Sequence, residues 1–173
     1  MYNASHGDTR HILLIPHDMN SCFDFARQSF NYADRFQTPV FVAMDLDLGM
    51  NLWSSDPLKL NQEPFDYGKR LSAEQLEEWT KAGKKFRRYF DQDGDGIPYR
   101  TVPGNVHRSA SYFTRGSGHD ADARYSEDEH DYKYILDRLR KKFDTARKFV
   151  PKPIVEKERG VGGTDPSDAL DRT

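Results

Sequence analysis

The chain has 173 residues, a formal charge of -2, 31% charged residues and a mean hydropathy of -0.90. One ordinary domain fits that length only if its apolar residues are concentrated, and near-neutral charge excludes a global field for nucleic acid or an anionic membrane. A single cysteine, Cys22, excludes a disulfide framework and a Cys-based zinc site.

The N-terminus, Met1-Tyr2-Asn3-Ala4-Ser5-His6, lacks a basic segment followed by an apolar run, and no window approaches the roughly 20 apolar residues that span a bilayer. A soluble, cytoplasmic chain is expected. His11 to Ile15 is an apolar run stopped at Pro16, the pattern of a buried strand ended by a residue without an N–H. Cys22, Ala26, Phe30, Ala33 and Phe36 then recur at helical steps, with Asp18 or Asn20 placed to cap the first N–H groups. Thr38-Pro39 breaks this helix, and Val40 to Met44 follows as a continuous apolar run rich in β-favouring side chains.

The unit is β-α-β. Its strands should run parallel with both sheet faces covered, which two strands cannot achieve alone. Further strands are expected from a longer parent chain or a partner, and Ile154-Val155 is the downstream candidate to begin another.

After Gly49 the sequence is loop-like through Asp56-Pro57 and Glu63-Pro64-Phe65. Ser72 and Gln75 form a capping box, and Leu76, Trp79, Ala82 and Phe86 predict a helix from Ser72 to Phe90. Asp91 to Glu127 shows no sustained periodicity and reads as an ordered, irregular loop. Ser126 and Glu129 form another capping box, followed by one stripe of Tyr132, Ile135, Leu139, Phe143, Ala146 and Val150 that Pro151 ends. Acids at its start and Arg147 and Lys148 at its end complement the helix dipole. The basic run Arg138, Arg140, Lys141, Lys142 is assigned to the solvated face of this helix, because Leu139 and Phe143 fall on the stripe. From Glu156 the sequence reads as a linker or the truncated start of something else.

Three motifs invite chemistry. Asp91-Gln92-Asp93-Gly94-Asp95-Gly96 copies the start of an EF-hand loop, but Val102 stands where the bidentate carboxylate belongs, so a tight Asp/Gly turn is favoured. His119 and Asp120, with Arg115 to hold a carboxylate, offer acid/base chemistry; the competing reading is a glycine-hinged loop whose polar residues hold its own backbone. Asp45 and Asp47 lie just beyond the second strand, at the edge where parallel sheets bind ligands, although such a carboxylate often only caps a turn. His6 and His11 are assigned structural or solvent-facing roles.

The stretches Ser5-His6-Gly7-Asp8, Gln37 to Val42, Asp45-Leu46-Asp47-Leu48-Gly49, Asp93 to Gly104, Thr114 to Asp120 and Arg147 to Pro153, in that order, resemble the alpha subunit of 2-oxoglutarate (2-oxoacid):ferredoxin oxidoreductases. The resemblance runs from Ser5 to Arg159 and covers only part of a full-length family subunit. It implies an α/β fold: a partial parallel β-α-β unit of a thiamine diphosphate pyrimidine-binding domain, followed by two amphipathic helices and long ordered loops. The implied division is 5–52 for the partial pyrimidine-binding domain, 53–155 for a helix-loop-helix extension, and 156–173 for a linker or truncated tail.

In the assembled enzyme the resemblance implies thiamine diphosphate with magnesium, an iron–sulfur cluster on a partner subunit, a beta subunit as partner, and exchange with ferredoxin and coenzyme A. No cofactor is expected for the isolated chain. The family's activating glutamate and its substrate-binding Thr/Arg stretch would precede Met1, so no catalytic residue is carried over and the isolated chain is expected to be inactive. What the resemblance does imply is that Asp45, Asp47, Gly49, Arg115, His119 and Asp120 sit on loops at the subunit interface or active-site rim. Two competing readings are a non-catalytic assembly module docking on a partner subunit, and a calcium-binding module ranked well below it.

Overall fold

The structure is a computed structural model that describes residues 4, 10–59, 63–115 and 118–155. Ser5 to Asp8, His6 among them, and the tail from Glu156 lie outside the described residues. The elements are β1 (Ile12–Leu14), α1 (Met19–Phe36), β2 (Val40–Val42), α2 (Leu46–Met50), α3 (Ala73–Lys81) and α4 (Glu129–Ala146).

The β-α-β unit forms as its sequence predicts. β1 and β2 pair in parallel, Ile12 opposite Val40 and Leu14 opposite Val42, and the Ala43 N–H continues the ladder to the Leu14 carbonyl at 2.9 Å. Asp18 caps α1: its carboxylate accepts from the Ser21 N–H at 2.7 Å, while the Ser21 hydroxyl oxygen accepts from the Asp18 N–H at 3.0 Å. Hydrogen bonding by Ser21, through its side chain first and its backbone N–H second, holds Asp18 below the usual carboxylate range. α1 ends at Gln37, a non-glycine residue in the left-handed region with φ 50°.

Only part of the apolar stripe of α1 is buried. Phe30 is 68% exposed and Ala26 is also exposed, whereas Phe25, Tyr32 and Phe36 face a core that also contains Ile12, Leu14, Ile97 and Ala146. Among the described residues the sheet has two strands, and Ile154 and Val155 are exposed coil. The expected cover is correspondingly incomplete: Ile15, Val42, Met44, Leu46, Met50 and Leu52 are all exposed. No helix among the described residues is long and apolar enough to cross a membrane.

A second small core joins Leu71, Leu76 and Ala110, with Trp79, Phe86 and Tyr99 against it. Ser72 and Gln75 form the predicted capping box of α3. The helix is shorter than its periodicity predicts, because the chain turns at Gly83 with φ +70°. Phe86 still packs on the core, but from a loop. Strand-like pairing of Arg70 with Arg100 joins two segments of this core, and Arg100 links it to α1 by donating to the Asp34 carboxylate at 2.6 Å.

α4 departs most from expectation. Its N-cap is Asp128, which accepts from the His130 and Asp131 N–H groups, while Ser126 donates to the Asp131 carboxylate at 2.6 Å. Its buried residues are Arg138, Lys142 and Ala146; Tyr132, from the predicted stripe, is 56% exposed. Gly96 makes this packing possible. It has φ +81°, and a Cβ there would lie 2.2 Å from the Lys142 backbone nitrogen and 2.7 Å from the Arg138 carbonyl oxygen.

Two glycine substitutions separate the contributions of conformation and contact. Gly104 has φ +92° but open space around it, so Gly104→Ala should cost only left-handed strain, about 1–2 kcal/mol. Gly96→Ala adds a collision with the α4 backbone and should cost about 3 kcal/mol or more, read from urea unfolding midpoints. Equal losses at the two positions would show that α4 does not depend on the close approach.

Candidate functional site

The turn at Asp91–Gly96 and helix α4 are joined by polar side chains reaching backbone carbonyls. Arg138 donates to the Gly96 carbonyl at 3.0 Å, the Thr145 hydroxyl to the Asp95 carbonyl at 2.7 Å, and the Lys142 ammonium to the Gln37 carbonyl at 3.1 Å. Gln37 in turn donates its side-chain amide to the Pro98 carbonyl at 2.6 Å. The end of α1, the glycine turn and α4 therefore meet at one place.

A cavity of about 170 Å³ opens beside this junction, and its lining includes Arg88, Tyr89, His119, Arg138 and Lys142. Arg138 and Lys142 are only 7% and 8% exposed. Burial pushes Lys142 down to about 8, with Arg138 and then Arg88 adding repulsion. Burial also lowers Arg138, with further repulsion from Arg88; Tyr134, Asp91 and Tyr89 act in the opposite direction. Among the described residues no carboxylate forms an ion pair with Arg88, Arg138 or Lys142. Asp91 is engaged elsewhere, accepting from the Gly96 N–H at 3.0 Å and facing Lys141 at 3.5 Å.

The residues singled out by sequence separate into three places. His119 enters the cavity, its ring stacked on Tyr89 with centroids 3.8 Å apart and planes 20° apart. A bond from the Tyr89 N–H to the Ala121 carbonyl at 2.9 Å holds the two segments together. Asp120 does not form a dyad with this ring. Its carboxylate accepts from the Asp122 and Arg124 N–H groups of its own turn, and His119 Nδ1 lies 3.2 Å from the Asp120 carbonyl oxygen instead.

Arg115 lies over the Tyr125 ring at 5.8 Å and does not line the cavity. Asp45, Asp47 and Gly49 lie at the far end of β2. Asp45 caps α2 by accepting from the Leu48 N–H at 2.7 Å, Asp47 is in the first turn, and Gly49 has open space around it. The capping alternative for Asp45 is therefore what the structure shows.

The EF-hand-like acids are engaged as well. Asp93 and Asp95 each lie 2.7 Å from the Lys69 ammonium, and that hydrogen bond holds Asp93 below the usual carboxylate range. Among the described residues no three His, Cys, Asp or Glu side chains gather to hold a metal.

No family profile matches the chain. A stretch of 46 residues is 42% identical to the 2-oxoglutarate synthase subunit KorA of Methanocaldococcus jannaschii. A segment of this chain is similar to a segment of that subunit. The match covers 27% of this chain and 13% of the relative, so it is shorter than the co-linear resemblance that the motifs trace.

Sequence reasoning missed Arg88, Arg138 and Lys142. The signal was present in part: Arg138, Lys142 and Ala146 recur at steps of four, the same period as the apolar stripe beside them. A reading that counts only apolar residues assigns that row to solvent.

Lys142 makes the electrostatic cost measurable. Its folded pKa of about 8 lies below the ordinary 10.5, so the unfolded chain binds more protons between these values and stability rises with pH across that window. Below pH 8 the full penalty applies, about 3.5 kcal/mol, offset in part by roughly 1.5 kcal/mol from the charged bond to Gln37. Lys142→Met should therefore stabilise the chain by about 2 kcal/mol at pH 7. The gain should vanish or reverse above pH 10.5, where Lys142 is neutral in both states. Urea midpoints at the two pH values read the difference, and a gain independent of pH would refute the buried-charge account.

Proposed function

We propose that this chain is part of the alpha subunit of a thiamine-dependent 2-oxoacid:ferredoxin oxidoreductase. Such an enzyme oxidatively decarboxylates a 2-oxoacid, for example 2-oxoglutarate, to an acyl-coenzyme A while reducing ferredoxin. The observation that carries this reading is the 42% identity over 46 residues to a 2-oxoglutarate synthase subunit. The order of the quoted motifs and the mixed α/β fold with its parallel pair support it.

In this reading the chain works in the cytoplasm as a component of a larger active site and is inactive alone. A beta subunit supplies the remaining half, including magnesium-bound thiamine diphosphate and the iron–sulfur cluster. Among the described residues no three His, Cys, Asp or Glu side chains gather that would hold the magnesium or the cluster. The loops carrying Asp45 to Gly49 and Arg115 to Asp120 then belong at the subunit interface or active-site rim. The place of His119 in a cation-lined cavity is consistent with a rim position for the second loop.

A second reading, a non-catalytic assembly module, is favoured by the exposed apolar residues Ile15, Val42, Met44, Leu46 and Met50 around the sheet end. Both readings expect the chain to dock on a partner subunit, and they part over activity. Co-expression with a beta subunit of such an oxidoreductase should give co-elution on gel filtration. Ferredoxin reduction with 2-oxoglutarate, thiamine diphosphate and coenzyme A should be absent until the remainder of a full-length alpha subunit is joined to the chain, since the match covers 13% of the relative. Separate elution would count against both readings, whereas co-elution without restored activity would favour the assembly module.

A further inference from the structure

We propose that the cavity between α4 and the Arg88–Tyr89 segment is a binding site for a small oxyanion, a phosphoryl or carboxylate group held by Arg88, Arg138 and Lys142. The inference rests on the cavity itself and does not require the enzyme reading above.

Three cationic side chains line one space of about 170 Å³ without an ion-paired carboxylate among the described residues. Two of them are more than nine-tenths buried. Their hydrogen-bonding capacity is only partly used: Arg138 spends one nitrogen on the Gly96 carbonyl, and its Nε is buried without a partner. Arg88 Nε and Nη1 are likewise buried without a partner. Arg88 touches aromatic faces, lying 4.7 Å from the Tyr89 ring centroid and 5.5 Å from that of Tyr112, contacts that leave its N–H groups unbonded.

Buried, mutually repelling charges beside an open space are costly, and one ligand class removes that cost. An oxyanion accepts several N–H bonds at once and neutralises the repulsion that Arg88 and Arg138 impose on Lys142. A neutral ligand would satisfy donors but not charge, and a cation would add to the repulsion. The volume suits a single small anion or the anionic end of a longer molecule. His119 stands on the wall, its ring held by stacking on Tyr89.

The test uses the full chain and two dianionic probes, inorganic phosphate and succinate, each at matched ionic strength against sodium chloride. Thermal unfolding should show a saturable rise in Tm with at least one probe and none with chloride. A rise with phosphate alone assigns a phosphoryl ligand, with succinate alone a carboxylate ligand, and with both a general oxyanion site. Arg88→Met, which breaks no side-chain hydrogen bond or ion pair among the described residues, should weaken the probe at least about tenfold by isothermal titration calorimetry.

Arg140→Met removes a charge from the exposed face of the same helix and should change affinity less than about twofold. Arg138→Met should weaken binding as well, but it also releases the Gly96 carbonyl, so Arg88 is the deciding position. No saturable shift with either probe, or undiminished affinity in Arg88→Met, would overturn the proposal. Equal losses in Arg88→Met and Arg140→Met would reduce it to diffuse surface charge and overturn it also.

Discussion

α4 is held against the rest of the chain by buried cations bonded to backbone carbonyls, and the position of every other element near the cavity follows from that contact. Arg138 reaches the Gly96 carbonyl, Lys142 the Gln37 carbonyl, and Thr145 the Asp95 carbonyl. Hydrogen bonds from charged donors contribute roughly 1.5–3 kcal/mol each, yet desolvating each charge costs several kcal/mol. The balance gives little net stability and much specificity. Rotating α4 by one residue would remove Arg138 and Lys142 from their acceptors and bring a side chain against Gly96, where even a methyl group has no room.

This specificity matters because the apolar cores are small. Among the described residues only Phe36 and Leu76 are large side chains that are fully buried. The first core gathers residues far apart in the chain, with Ile97 and Ala146 beside Ile12, Leu14 and Phe36. Non-directional burial alone would let α4 slide or turn over such a surface. The carbonyl contacts fix its register, and the Tyr32 hydroxyl adds a further bond to the Phe149 carbonyl at 3.1 Å.

How much of this was legible depended on which force set each element. The β-α-β unit was readable because uninterrupted apolar runs and Thr38-Pro39 specify strands and a break without reference to the rest of the fold. The Asp18 cap and the Ser72–Gln75 box were readable for the same reason, since capping is local chemistry. The end of α3 was missed because a favourable period continued past Gly83, and a left-handed glycine outranks periodicity. The face of α4 was missed because its buried row is basic, and burial there depends on carbonyls contributed by distant turns. His119 was legible as a residue worth testing, but its partner is the Tyr89 ring and not the adjacent Asp120.

Two kinds of unmet demand remain in this fold, one exposed and one buried, and they differ in what can satisfy them. The open apolar residues around β2 and α2, such as Val42, Met44 and Leu46, need only contact that excludes water, so many surfaces would serve and the demand carries little chemical information. The unbonded nitrogens of Arg88 and Arg138 demand acceptors at fixed positions together with negative charge, which few ligands provide. Covering the first does nothing for the second, because hydrophobic contact leaves buried donors unpaired. A partner subunit that settles the apolar face would therefore leave the cavity's chemistry unchanged unless it also brought an acidic group to it.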